Sequence, residues 1–233
     1  MKFMKSLFVY LTIISSASAH SQTFLKANYS YKHEKVGFEE HYTLYYSNGI
    51  SHYKHHHYHQ KIINEKGWEF YFPHEFYDWY YDQASGKITE YAELEDGTKL
   101  KANWPADFKW KLTDERKKLN GYDVQKAIGL SHNTEGRGEW DTGDVIAWFT
   151  TEIPISSGPE RYYGLPGLIV KIEFSKRTMT CELEKVDFDS VVKVEIPGCD
   201  QNTIKISKDE IFMPGTINKK WLKNQKKLLD PNE

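Results

Sequence analysis

From Thr23 to about Ile196 apolar and polar side chains alternate in short runs, broken by Gly, Asn, Asp and Pro. A period of two belongs to strands with one buried face, and no helical period intervenes between the runs. The pattern therefore predicts an antiparallel sheet and not alternating strand and helix units. Residues 38–47 and 50–60 flank Asn48-Gly49, a two-residue hairpin signal, because both turn positions need positive φ. Pairing Ser47 with Ile50 sets Leu44 opposite Tyr53, Tyr42 opposite His55, Glu40 opposite His57 and Phe38 opposite His59. Further strands are expected at 66–72, 76–83, 87–94, 98–104, 122–131 and 144–151. The last is apolar on both faces (Val145, Ala147, Phe149; Ile146, Trp148), which suits an interior strand. A second hairpin runs from Gly167 to Phe188. There Leu168, Val170, Ile172 and Phe174 share a face, and a turn at Lys176-Arg177 opposes Ile172 to Cys181.

Helix is expected near the end. Ser207-Lys208-Asp209-Glu210 matches a capping box before a short turn stopped by Pro214-Gly215. Thr216 then caps a helix over 217–229, with Ile217, Trp221, Leu222, Leu228 and Leu229 spaced for one face and five lysines on the rest. The expected fold is mainly β: a strongly curved antiparallel sheet, half-barrel or sandwich-like, with a C-terminal helix. No linker divides residues 20–233, so a single domain is expected.

Composition narrows the class. The 233 residues include 35 aromatics, enough with the aliphatics to build a core, while mean hydropathy is −0.69. A formal charge of −2 gives no basic face for nucleic acid. Residues 1–19 have the form of an export signal: Lys2 and Lys5, an apolar stretch over 6–14, and Ala17-Ser18-Ala19 as the small-x-small cleavage site. That stretch is about half the length of a membrane span. Cleavage near Ala19 leaves a chain beginning at His20 with no transmembrane span, placed in the periplasm or secreted. Export permits disulfides. Cys181 and Cys199 approach one another if 178–187 and 190–196 form a hairpin; otherwise Cys181 is buried and Cys199 is free in the Pro197-Gly198-Cys199 turn.

Gly164-Leu165-Pro166-Gly167-Leu168-Ile169 reads as a folding device. Pro166 presets φ for the second position of a β-turn, and Gly167 supplies the positive φ that a type II turn needs at the third. Gly164, lacking Cβ, permits close backbone packing. The hexapeptide holds no nucleophile, acid, base or ligand. Other segments accompany it in order: Leu119-Asn120-Gly121-Tyr122, Gln125-Lys126-Ala127, Gly136-Arg137, residues 147–155 (AWFTTEIPI) and Gly158-Pro159. On these pieces, over about 112–188, the chain resembles the GLPGLI family of exported proteins from Gram-negative bacteria. The resemblance implies export and a mostly β fold, and it brings no reaction. Val124 stands where the family tends to have a cysteine, and residues between Arg137 and Ala147 look expanded.

Two features carry candidate chemistry. In His52-Tyr53-Lys54-His55-His56-His57-Tyr58-His59, the side chains of His55, His57 and His59 project from one strand face about 6.6 Å apart, with Glu40 brought alongside by the hairpin register. Imidazoles and a carboxylate suit Zn or Cu. Three residues on one strand span roughly 13 Å, so two of them with Glu40 or a residue from another strand form the realistic set. His52, His56 and His41 occupy the opposite face. The aromatic block that includes Trp68, Phe70, Trp79 and Tyr81 would line a groove for an apolar or glycan ligand, or else pack as core. Enzyme signatures are absent: there is no Gly-x-Ser-x-Gly, His-Glu-x-x-His, phosphate loop or dinucleotide fingerprint. Asp78, Asp82, Glu90 and Glu93 are carboxylates that a cleft would have to pair. The expectation is a non-enzymatic envelope protein presenting a groove or sheet face to a ligand or partner. Metal binding by the histidine ladder is the alternative, and a hydrolase of unrecognised type the second alternative.

Overall fold

The computed structural model describes residues 24–34, 38–55, 61–63, 67, 69–71, 76–93, 97–106, 108–129, 144–176, 178–188, 192–201 and 203–207. Its strands are β1 (Phe24–His33), β2 (Phe38–Ser47), β3 (Ile50–His55), β4 (Lys61–Ile63), β5 (Glu69–Tyr71), β6 (Phe76–Asp82), β7 (Lys87–Glu93), β8 (Lys99–Pro105), β9 (Trp110–Leu119), β10 (Tyr122–Gly129), β11 (Val145–Thr150), β12 (Leu168–Phe174), β13 (Met179–Asp187) and β14 (Thr203–Lys205). Twelve form one open sheet in the order β14-β8-β7-β6-β3-β2-β1-β13-β12-β11-β10-β9, and β4 pairs with β5 apart from it. The ladders are antiparallel except at one edge, where β14 runs parallel to β8, a departure from the all-antiparallel expectation.

Local sequence explains the hairpins. Asn48 and Gly49 hold φ of 51° and 82°, and Asn120 and Gly121 hold 51° and 87°, so both Asn-Gly pairs make the tight turn whose twist matches the strands. The first fixes Ser47↔Ile50, Leu44↔Tyr53 and Tyr42↔His55, residue for residue as expected. The second joins β9 to β10. The alternation along the chain does not reveal β9, because it is an edge strand exposed along most of its length. In the β12–β13 hairpin Ile172 pairs with Cys181, as expected. Strand β11 is interior, third from the β9 edge.

Burial separates two faces. Leu25, Ala27, Tyr29, Tyr31, Tyr42, Leu44, Tyr53 and Trp79 turn inward with Ile172, Cys181 and Leu183 into one core. The segment 151–167, between β11 and β12, lies on this inner side and fills it with Ile153, Ile155, Tyr162 and Leu165. Its backbone is tied down: Leu168 N–H donates to Ile153 O at 3.0 Å, and Ile169 N–H to Ser157 O at 3.0 Å. Its side chains bridge distant strands. The Ser157 and Ser51 hydroxyls lie 2.7 Å apart, and the Tyr163 ring stacks on Tyr81 of β6 with centroids 4.2 Å apart. The Tyr163 carbonyl accepts Trp110 Nε1–H from β9 at 2.7 Å. Strands β6 and β9 are eight places apart in the sheet, roughly 38 Å if it were flat. One residue touching both requires a strongly curled sheet, consistent with the expected curvature.

On the outer face, residues 192–201 form an irregular strap in place of the second hairpin arm expected at 190–196. Val194 N–H donates to Ser47 Oγ at 3.0 Å, and Lys99 Nζ reaches Asp200 Oδ2 at 2.8 Å. Both cysteines are free, Cys181 buried and Cys199 exposed. The export signal at 1–19 and the helix at 217–229 lie outside the described residues.

Candidate functional site

The two glycines of the hexapeptide exchange the roles expected of them. Gly164 holds φ of 92°, while Gly167 has ordinary negative-φ geometry, so no type II turn is centred on Pro166-Gly167. A Cβ on Gly167 would stand 1.9 Å from the Thr150 carbonyl oxygen; one on Gly164 would meet nothing nearer than 4.0 Å. Close packing therefore selects Gly167, and backbone conformation selects Gly164. Leu165, Leu168 and Ile169 are buried, and Pro166 is exposed.

The inner face carries a buried polar cluster at its centre. Tyr42 stacks on Tyr53 at 4.9 Å, and Tyr42 OH donates to Glu40 Oε2 at 2.9 Å. Tyr53 OH lies 3.7 Å from Cys181 Sγ, and Tyr29 OH donates to the Ile169 carbonyl at 2.7 Å. Burial pushes the Tyr29, Tyr31, Tyr42, Tyr53 and Cys181 groups well above their ordinary values, and the Glu40 and Glu160 carboxylates add to this at Tyr31 and Tyr42. These phenols and the thiol therefore stay neutral near pH 7.

Of the expected metal ligands, Glu40 is 6% exposed in this cluster. His55 closes β3 opposite Tyr42, while His57 and His59 lie outside the described residues. Of the expected groove residues, Trp79 and Tyr81 are buried, Trp79 against Tyr53 at 6.0 Å and Tyr81 under Tyr163. The 151–167 segment occupies the space a groove would need there. Phe70 lies on β5 opposite Ile62, and Trp68 is outside the described residues.

The outer face presents a cleft of about 170 Å³ that the sequence reading did not foresee, lined by Asp78, Tyr80, Tyr91, Ala92, Glu93, Lys99, Pro197 and Gly198. Strand pairing explains the assembly: Asp78 is opposite Tyr91, and Phe76 opposite Glu93. His52 stacks on Tyr80 with centroids 4.2 Å apart and planes 8° from parallel, and its Nε2 lies 3.0 Å from Asp78 Oδ1. Tyr91 meets Tyr80 edge-on at 5.8 Å. The strap closes one side, because Tyr91 OH donates to the Pro197 carbonyl and Lys101 Nζ reaches the same oxygen at 3.3 Å. Asp78 and Glu93 were among the carboxylates singled out in the sequence; Tyr91 and the strap were not.

Residues 131–171 match the family model described as a protein of unknown function (Porph_ging), the GLPGLI family. The match contains β11, the inner segment and the hexapeptide, and bears out the resemblance over that stretch. The fold is similar to that of PNGF-II in two crystal forms, at 17% identity, with TM-scores of 0.55 and 0.56 over 82% and 84% of this chain. The chain spans about a third of PNGF-II, 32% and 33% of its length in the two forms, and at this identity the likeness is one of fold. A DUF1329 family protein from Desulfovibrio piger aligns over 74% of this chain and 87% of its own, at 7% identity and a TM-score of 0.35. No curated protein matches the sequence. Among the described residues no helix is long and apolar enough to cross a membrane.

Proposed function

We propose that this GLPGLI-type β-sheet protein is exported and binds one ring of a glycan in the outer-face cleft, without acting on it chemically. The observation that carries the reading is the cleft itself: aromatic rings beside two carboxylates and an ammonium, under a strap that limits entry. A sugar ring offers an apolar C–H face to an aromatic side chain and hydroxyls to charged acceptors and donors. Asp78 and Glu93 would accept from hydroxyls, Lys99 would donate, and Tyr80 and Tyr91 would supply the apolar contact. The cleft is smaller than the roughly 300–1,000 Å³ of pockets that enclose drug-sized ligands. Its size suits a single ring, with the remainder of a longer glycan lying along the surface. Export is supported by the pattern at residues 1–19.

The test uses protein isolated from the periplasmic fraction, expected to begin at His20. Calorimetric titration with mono- and oligosaccharides should give saturable binding that falls about tenfold, roughly 1.4 kcal/mol, in both Tyr91→Ala and Asp78→Asn. No binding at millimolar sugar, or binding equal in both variants and the parent, would sink the cleft as the site. A protein that retains residues 1–19 would remove export.

A further inference from the structure

We propose that Glu39, His41 and Glu184 form a zinc site on the outer face of the sheet, apart from the cleft and from the histidine ladder. Glu39 and His41 project from the same face of β2, and Glu184 comes from β13, with β1 between them. The residue of β1 beneath them is Ser30, paired with His41 on one side and Glu182 on the other. It is small and buried, so side chains from the two outer strands can converge above it. Glu184 occupies a β-bulge. Asn28 pairs with Lys185 and Tyr29 with Leu183, which leaves Glu184 as the extra residue with no partner on β1. A bulge re-aims one side chain while the ladder continues on both sides, and such features recur at binding sites. Here both Glu184 and Lys185 are exposed, while Leu183 and Val186 pack inward.

Distances fit the ion. One ligand atom from each of the three residues lies within 4.8 Å of the other two, and His41 Nδ1 is 3.5 Å from Glu184 Oε2. Tetrahedral zinc with N and O ligands at about 2.0–2.2 Å sets its donors roughly 3.3–3.6 Å apart. The histidine and Glu184 therefore already have coordination spacing. Glu39 is held by Lys32, 3.7 Å from its Oε1, and accepts a hydrogen bond from Ser30 Oγ. A side-chain rotation releases it toward the ion. The donor set has one neutral imidazole and two carboxylates, which favours zinc over the all-oxygen cations, and a doubly charged ion neutralises the two carboxylates. Three protein ligands leave the fourth position open to water. Glu40, the carboxylate of the expected ladder site, is buried on the opposite face and takes no part.

The experiment titrates Zn²⁺ into the metal-stripped full chain carrying His55→Ala, His57→Ala and His59→Ala, so the ladder cannot contribute. One zinc per chain should bind at micromolar concentration. His41→Ala and Glu184→Gln, both at exposed positions, should each weaken binding at least tenfold with the circular dichroism spectrum unchanged, and Lys32→Ala should tighten it. No saturable binding below about 100 μM, or undiminished binding in either ligand variant, overturns the proposal.

Discussion

Gly167→Ala tests the packing at the centre of the molecule. The new methyl carbon would sit 1.9 Å from the Thr150 carbonyl oxygen, 2.7 Å from its carbon and 3.1 Å from Thr151 Cα. An ordinary contact needs over 1 Å more. Neither chain is free to give way, because Thr150 pairs with Leu168 in the β11–β12 ladder and Leu168 N–H is tied to Ile153. Overpacking costs about 1–3 kcal/mol, a lost ladder bond about 0.5–1.5 kcal/mol, and the stiffer unfolded chain returns about 0.4–1 kcal/mol. The net loss lies between about 0.5 and 4 kcal/mol, centred near 2. For a chain of this size a loss of about 2 kcal/mol lowers the melting temperature by roughly 4–8 °C. Urea unfolding followed by far-UV circular dichroism should show the midpoint fall at constant slope. Gly164→Ala meets no atom nearer than 4.0 Å, so its loss of about 1–2 kcal/mol comes from backbone conformation alone. Gly164→Asn, which tolerates positive φ better, should recover part of it. If Gly167→Ala unfolds within 0.5 kcal/mol of the parent while Gly164→Ala does not, the assignment of the two glycines is backwards.

Two pH responses follow from the buried and paired groups. Burial raises the phenols of Tyr29, Tyr31, Tyr42 and Tyr53. Their contribution to stability is full below the unfolded value near 10 and is lost as pH rises beyond it. Absorbance at 295 nm should therefore show exposed tyrosines ionising first and these four only as the sheet collapses; complete ionisation with the sheet intact would contradict the core. Glu173 titrates in the opposite sense. Burial acts to raise its carboxyl, but hydrogen bonds from Lys171 and Trp148 and the charges of Lys171 and Lys117 outweigh it and hold the group below its ordinary value. Its contribution is present above the unfolded value of 4.5 and is lost as pH falls through the folded one. Glu173→Gln should cost about 1 kcal/mol or less at pH 7, and the difference from the parent should shrink as pH falls below 4.5 and through the folded value; a gap that persists undiminished in acid would show that packing, not charge, is responsible.

What the sequence made legible is what local chemistry controls. Asn48-Gly49 set a register correct through His55, and alternation identified both strands joined at Ile172↔Cys181. The chain from Trp110 to Leu119 escaped notice because an edge strand needs no apolar face, although the second Asn-Gly at its end carried the same turn signal as the first. Gly167 could not be read correctly, since its constraint is a carbonyl from a strand distant in sequence. Trp79 and Tyr81 looked like groove residues because nothing in the irregular stretch 151–167 announces that it will lie on top of them. The cleft needed the strap, and the convergence of Glu39, His41 and Glu184 needed a bulge; neither has a sequence period. Tertiary placement decided each of these.

The shared use of Tyr163 by β6 and β9 has a kinetic consequence. Strand β1 waits for β13 as well as β2, and the two arms of the sheet have nothing to close upon until residue 163 is present. The hairpins of β1–β3 and of β6–β8 join neighbours in sequence and can pair as they emerge, but their apolar inner side stays uncovered until β13 and the segment 151–167 arrive. Those closing contacts are the non-local and therefore slow part of the topology, so the interval between emergence and closure is when this molecule is most exposed to aggregation and most in need of a holding chaperone.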